Sequence, residues 1–501
     1  MARTGEVVDV ARAAETLRAF FLAHPDVHIR EAGQPLARLG GPGSGYALHP
    51  EANRLVGHFW SGDANLVRRI VGWRARAGET LELAVMRLGQ TRPVRFTLAP
   101  AGADTERARG RLEFRQALLA AAERDWPGWH ALPDRGVSGE RRDVQRLLFR
   151  RQQRLMPCVA LAEGAGAAAV VAALAQALVW VGQCGERHPC EPIAAVRMVL
   201  PAGAEIWLRL LRSGLRAQPA IECYRWDASA ARLDAVALSD AGNTVSGLRR
   251  APACSPPRGA AAALLARVRR QCPQATWETA PDGYGFVSVY GLEIARESDR
   301  AAAAQAPFVF GCGGEQTPLL AATEPLFDGW VAAVAQQRVP AGDRRQPLFA
   351  AQPERWMAHL LRHDPGALDA QLAGKVYAGI PITTPAGTGV LDLLARDRNG
   401  RLVVIEIKAA EDLPFPLQAL VYWLQVRQQQ RAGEFERLGY FAGEPLSPEP
   451  PQLWLVAPAL RWHPLTPQLL RWLAPEVPCT LLGINEEWRR GFQVVFRRGA
   501  A

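Results

Sequence analysis

Residues 401–410 read RLVVIEIKAA, with a glutamate and a lysine two positions apart at the end of an apolar run. Of the 59 Lys+Arg in the chain, Lys375 and Lys408 are the two lysines. A chain that otherwise meets its need for positive charge with guanidinium keeps at 408 a compact, rotatable ammonium able to share a proton. Just upstream, Asp397-Arg398-Asn399-Gly400 has Asp at the first and Gly at the last position of a type I turn, the turn of a three-residue hairpin loop. Pairing Asp397 with Arg401 across that loop sets Asp392 opposite Glu406. The two-residue period of a strand then puts Glu406 and Lys408 on one face, with Ile405 and Ile407 on the other. Two carboxylates and the backbone carbonyl of Ile407 make a hard oxygen site for Mg²⁺ or Mn²⁺. The chemistry this suits is phosphodiester hydrolysis: the cation polarises the phosphate and acidifies a bound water, and Lys408 positions that water or neutralises developing charge.

A Glu-x-Lys on a strand is by itself usually a solvated ion pair. Four features add to it here: Asp392 at the facing position, Gly389 three residues before it, an otherwise apolar strand, and a following helix with Gln418 and Tyr422 at i and i+4 on one face. Gly389-x-x-Asp392, Glu406-Ile407-Lys408 and Gln418-x-x-x-Tyr422 together resemble the motifs of the PD-(D/E)XK nuclease superfamily, in particular its RecB-like group, over residues 350–445. The resemblance implies a restriction-endonuclease-like core, a mixed sheet flanked by helices, with a divalent metal held at Asp392 and Glu406. It also implies that Lys408 is the catalytic lysine and that Gln418 and Tyr422 help place metal, lysine or substrate. Relatives often carry a further Glu on a helix before the sheet. The segment PERWMAHLLRHDP (353–365) offers Glu354, although the family position falls nearer Ala358, and an acid in a first helical turn is also favoured by the helix dipole alone.

The rest of the chain must position these groups. With 501 residues, 49% of them hydrophobic and 22% charged, it has room for three domains. The pattern predicts an α+β domain over 1–150, an α/β domain over 151–340 and the nuclease-like domain over 345–501. Strands are expected at LELAVMRLG (81–89) and VRFTLAP (94–100). In the middle third, MPCVALAEG, AVRMVLPAG and AIECYRWD alternate with helical AAAVVAALAQALVWVG and EIWLRLLRSG. Pro-rich 249–260 and 336–353 read as connections, Lys375 as part of the connection before the first strand of the last domain, and LGGPGSGYA (39–47) as a surface turn. No repeat stands out at solenoid periods.

Residues 350–501 hold 16 Lys+Arg against 15 Asp+Glu, so the net charge of +10 lies mostly upstream, where a polyanion would be gripped. The eight cysteines show no CxxC pair, which suits reduced thiols in the cytoplasm. Cys184, His188 and Cys190 match no common zinc spacing. The opening helix is amphipathic and acidic, unlike a secretory signal, and the Ala/Gly-rich run 164–182 reads as a buried helix; no membrane partner is expected. Trp454, Trp462, Trp472 and Trp488 read as core, with base stacking as their other use. The expectation is a Mg²⁺- or Mn²⁺-dependent nuclease acting on DNA. The alternatives are an RNA-directed or other phosphoester hydrolase of this fold, and a non-catalytic nucleic-acid-binding protein.

Overall fold

The computed structural model describes residues 10–31, 34–40, 44–51, 54–61, 64–76, 80–86, 93–100, 103–132, 144–162, 166–239, 247–251, 256–280, 283–298, 306–311, 316–384 and 387–499. Cys254, Cys312, positions 41–43 of the glycine-rich turn, 87–89 of the first expected strand and 252–255 of the first Pro-rich connection lie outside them. The chain forms two compact units, the first Met1–Gln116 with Gly313–Glu315, the second Ala117–Cys312 with Gln316–Ala501.

In the first unit, helix α1 (Val10–Ala23) precedes seven strands: β1 (Val27–Glu31), β2 (Gln34–Leu39), β3 (Gly45–Glu51), β4 (Arg54–Ser61), β5 (Ala64–Arg76), β6 (Thr80–Met86) and β7 (Val94–Pro100). They form one antiparallel sheet in the order β2-β1-β7-β6-β5-β4-β3. Helix α1 buries Ala13, Ala14, Leu17 and Phe21, one stripe at helical spacing, in a core with Phe59, Leu83 and Phe96 from the strands. Helix α2 (Ala103–Asp125) follows, and the division after Gln116 falls within it.

The second unit opens with β8 (His130–Ala131), β9 (Val144–Arg151), β10 (Arg154–Leu161), α3 (Ala167–Arg187), β11 (Ala195–Pro201), α4 (Glu205–Arg212), β12 (Ala220–Asp227) and β13 (Arg232–Val236). Their sheet runs β13-β12-β11-β10-β9-β8, with β10, β11 and β12 parallel, as the alternation of strand and helix in the sequence requires. By length and composition α3 could cross a membrane, but 67% of its most apolar window is buried inside the protein. Its Cys184 is buried, which pushes the thiol up to about 11, while Cys190 is exposed and His188 Nδ1 stands 3.2 Å from Glu191 Oε1.

A short strand β14 (Gly247–Leu248) is followed by α5 (Ala260–Arg269), the antiparallel sheet β15 (Thr276–Thr279), β16 (Gly285–Val289), β17 (Leu292–Glu297), β18 (Phe308–Phe310) and β19 (Thr317–Pro318), and helix α6 (Glu324–Gln337). Then come α7 (Pro347–Ala350), α8 (Pro353–His363), β20 (Leu372–Thr384), β21 (Gly387–Asp397), β22 (Leu402–Ile407), α9 (Phe415–Arg431), α10 (Glu434–Arg437), β23 (Gln452–Pro458), α11 (Thr466–Leu470), β24 (Cys479–Ile484) and β25 (Val494–Gly499). This mixed sheet has the order β14-β20-β21-β22-β23-β24-β25, with β22, β23 and β24 parallel. Helices cover both faces. Trp356, Met357 and Leu361 of α8 pack with Ile405, Ile407, Trp454 and Trp488, while Leu417, Leu420 and Val421 of α9 lie on the face of Leu402, Val404 and Leu455. Trp454 and Trp488 are therefore core, and Trp462 and Trp472 are half-buried against the α9 side.

Lys375 lies inside β20 rather than in a connection. The segment LAGKVYAGIPITT hides its strand because Gly374 (φ +72°) and Gly379 (φ +63°) break the alternation and the pairing with β21 shifts between Ala373 and Tyr377. The expected segments 151–340 and 345–501 share one core, in which α3 and α4 pack on α9, and β14 lends an edge strand to the last sheet. A chain beginning at residue 345 leaves Ala419, Leu420 and Leu473 exposed to water. It is expected to show no cooperative thermal unfolding in calorimetry, where the full chain does; a sharp transition for the fragment would show its sheet to be self-sufficient.

Candidate active site

The hairpin turn forms as its residues dictate. Asp397 Oδ1 accepts from the amides of Asn399 (2.8 Å) and Arg401 (2.9 Å), Gly400 N–H donates to the Asp397 carbonyl (3.0 Å), and Asp397 N–H donates to the Arg401 carbonyl (2.9 Å). Gly400 has φ +79° and no room for a Cβ, which would meet the Pro445 carbonyl oxygen at 2.5 Å. The register that follows pairs Leu393 with Ile405, so the next step places Asp392 opposite Glu406.

At that step the side chains take over from the ladder. Asp392 Oδ2 accepts the Ile407 N–H at 2.8 Å, and Glu406 Oε1 accepts the Asp392 N–H at 3.3 Å. Glu406 is 5% exposed. Burial, then the Asp392 charge, pushes its carboxyl well up from the usual range. Asp392 is raised too, by burial above all, against the pull of the Ile407 amide and Lys408. Lys408, just past the strand, anchors its amide on the Val456 carbonyl (3.0 Å) and brings Nζ to 3.6 Å from Asp412 Oδ2. Its charge opposes the rise of both carboxylates.

Glu354, in the first turn of α8, is brought to this place: Oε1 accepts the Ala409 N–H at 3.2 Å, and its charge adds to the rise of Asp392. Ala358 sits one turn later. Tyr422 OH accepts the Val390 N–H at 3.3 Å, and its ring lies over Gly389, where a Cβ would meet Cε1 at 2.8 Å. The spacing from Gly389 to Asp392 thus has a steric reason: only glycine lets the tyrosine close on the strand. Burial and the two nearby carboxylates push the Tyr422 hydroxyl up to about 12. Gln418 lies one turn earlier, half-buried, and its side chain makes no hydrogen bond among the described residues. Among those residues no group of three or more His, Cys, Asp or Glu is gathered for a metal ion. The oxygens facing one another are those of Asp392 and Glu406.

A cavity of about 400 Å³ opens beside Asp392, between α8, β20 and the inserted β15–β17 sheet. Its lining includes Arg355, Arg362, Lys375 and Arg296, a basic concentration that the sequence reading missed because it draws on three separate segments. Arg355 and Lys375 are exposed, whereas Arg362 is tied to Glu278 (2.8 Å) and Arg296 to Glu293 (3.2 Å). Burial alone would raise Glu278, but the His359 ring 3.8 Å away, the hydrogen bond from Ser288 and the Arg362 charge bring it down to about 2. Asp412 was also missed; its signal is the i,i+4 spacing from Lys408.

No protein-family model matches the chain, and no curated protein matches it. Among solved structures similar to part of it are the following two. One is an EndoMS–dsDNA2 complex, 14% identical, covering 40% of this chain and 89% of that one, with a TM-score of 0.17. The other is a repair endonuclease from Pyrococcus abyssi, 12% identical, covering 43% and 95%, with a TM-score of 0.16. Both are weak neighbours, and the reading of the site rests on its own residues.

The raised carboxyl of Glu406 has a consequence for stability. The folded state holds this proton more tightly than the unfolded chain does, so the ionisation opposes folding as pH rises above the ordinary glutamate value of about 4.3. In chelator, Glu406→Gln is expected to be more stable than the parent at about pH 8 in urea unfolding, with the gain gone below about pH 4. A parent as stable as the variant at the higher pH would mean that the carboxylates do not repel in a buried place.

Proposed function

We propose that the protein is a divalent-metal-dependent nuclease that hydrolyses phosphodiester bonds, with DNA as its proposed substrate and Asp392, Glu406 and Lys408 as its centre. The observation that carries this reading is the pair of carboxylates facing each other, Glu406 buried and Asp392 half-buried, beside a single ammonium and next to a cavity with exposed Arg355 and Lys375. Two like charges in a poorly solvated place are stabilised by a bound cation, and carboxylate oxygens suit a hard one. Asp392, Glu406 and the Ile407 carbonyl would hold Mg²⁺ or Mn²⁺. Bound there, the ion supplies positive charge that polarises a phosphate oxygen and makes a coordinated water more acidic.

The chain's own groups do the rest. Arg355 and Lys375 bind phosphates that flank the scissile one and set it against the carboxylates. Lys408, held by Asp412, offers its ammonium to the attacking water or to charge growing on the phosphate. Glu354 fixes the backbone at Ala409 and with it the approach of Lys408, and Tyr422 locks the Gly389–Val390 end of β21. Gln418, on the same helix face as Tyr422, is assigned to water or substrate. The net charge of +10 suits a polyanion, DNA or RNA alike, and an RNA substrate is the other arm of the assay.

Asp392→Ala and Glu406→Ala are each expected to abolish metal-dependent cleavage of single-stranded, double-stranded and branched DNA while retaining DNA binding; turnover in either variant would sink the assignment. Lys408→Arg is expected to slow single-turnover cleavage by about a hundredfold or more, because the broad guanidinium does not fit the ammonium's place. Its control is Arg437→Lys in an exposed i,i+3 pair with Glu434, expected to cut at the parent rate. Lys375 cannot serve as that control, since it lines the cavity at Asp392 with Nζ 4.7 Å from the Tyr377 ring.

A further inference from the structure

The two mixed sheets of the second unit repeat one another. In each, an antiparallel hairpin (β9–β10, β21–β22) leads to a long helix (α3, α9) and a parallel strand (β11, β23). A shorter helix (α4, α11), a second parallel strand (β12, β24) and an antiparallel edge strand (β13, β25) complete it. The orders β13-β12-β11-β10-β9-β8 and β25-β24-β23-β22-β21-β20 correspond place for place. The sequence carries the same correspondence: Gln176-Ala177-Leu178-Val179-Trp180 of α3 matches Gln418-Ala419-Leu420-Val421-Tyr422 of α9 in four residues and keeps an aromatic ring at the fifth.

The copies meet about an approximate two-fold axis. Just past α4 and α11, Arg216 N–H donates to the Trp472 carbonyl (2.8 Å) and Ala474 N–H to the Gly214 carbonyl (2.9 Å), around the bridged pair Leu215 and Leu473. Each of those leucines stands eight residues before the matching residue of the next strand, Cys223 and Leu481, which pair with Met198 and Leu455. A reciprocal contact between matching residues is the mark of an isologous interface, here within one chain.

The alignment locates the positions that would correspond to the active centre. Glu406 pairs with Leu455, three residues before Pro458 at the end of β23, and Val159 pairs with Met198, three residues before Pro201 at the end of β11. Val159 therefore stands where Glu406 does, its partner Arg146 where Asp392 does, and Leu161 where Lys408 does. Arg146 Nη2 donates to Gln176 Oε1 at 3.2 Å, and Gln176 is the match of Gln418. A guanidinium and an isopropyl group supply no oxygen ligand for a divalent cation.

We propose that the chain is a fused pair of copies with a single cutting centre, and that it nicks one strand of a duplex at each encounter. This rests on the nuclease reading above. The strands of a duplex are antiparallel and related by two-fold axes, so a two-fold pair of copies presents one centre to each strand. The strand that faces Arg146 and Val159 is left whole.

Two measurements on the full chain test this. Mn²⁺ titrated onto the protein should bind at one centre per chain, with all binding lost in Glu406→Ala and Glu406→Gln and kept in Arg146→Ala; Mn²⁺ still held by Glu406→Ala and lost in Arg146→Ala would overturn the inference. With supercoiled plasmid and protein in excess, open circles should accumulate first, and linear molecules should follow only as a second, later event. Linear product rising together with open circles would overturn it. One ion bound with no cleavage of any nucleic acid would reject the nuclease reading and leave the count of one centre standing.

Discussion

The second unit is organised around an exchange at the end of one hairpin, where two carboxylates replace the last rungs of a β ladder. Asp392 takes the amide of Ile407, and Glu406 takes the amide of Asp392. The exchange satisfies two backbone donors that would otherwise be orphaned at the splaying strand ends, and it holds two negative charges close together in a poorly solvated place. Much of what surrounds it keeps the two strands from sliding. The Asp397–Gly400 turn fixes the register from one end, Tyr422 closes on Gly389 at the other, and α8 and α9 clamp the faces. A one-residue slip would send Glu406 into the face filled by Ile405 and Ile407.

The inserted β15–β19 sheet gives that exchange its surroundings. Without it Asp392 would border open solvent on the cavity side; with it, cations from α8, β17 and β20 line one concave wall. The Glu278 carboxylate serves as the rivet, collecting Ser288 from its own sheet and Arg362 from α8. Charges that are already paired in this way shape the wall, and Arg355 and Lys375 stand exposed on it.

Much of the hairpin was legible because its determinants are local. Four turn residues and a period of two are enough to bring Asp392, Glu406 and Lys408 together, and an i,i+4 step is enough to put Gln418 and Tyr422 on one face. The alternation in 156–227 likewise marked an α/β unit, whose strands β10, β11 and β12 are parallel. The cavity was not legible, since its cations come from segments far apart in sequence, and β20 was not, since its glycines erase the alternation that marks a strand. The duplication lay partly in view as the two QALV segments, but a single copy at a distance of 242 residues carries none of the periodic signal of a solenoid. Glu354 was an ambiguous first-turn acid until the fold set it against Ala409.

Arg338 is fully buried, yet it is held by carbonyls: its guanidinium donates to Val289 and Tyr290 of the inserted sheet and to Leu348 and Ala351 ahead of α8, with the Trp356 ring 4.5 Å beneath it. Carbonyl dipoles and a ring face are not displaced by dissolved ions, and a site closed to water lies out of reach of the ionic atmosphere. Phosphate contacts at exposed arginines weaken steeply as salt is added. The seam between insertion and core thus belongs to a different electrostatic regime from the exposed cations of the wall, and on the proposed function brine would release a polyanion while leaving the shape of that wall unchanged.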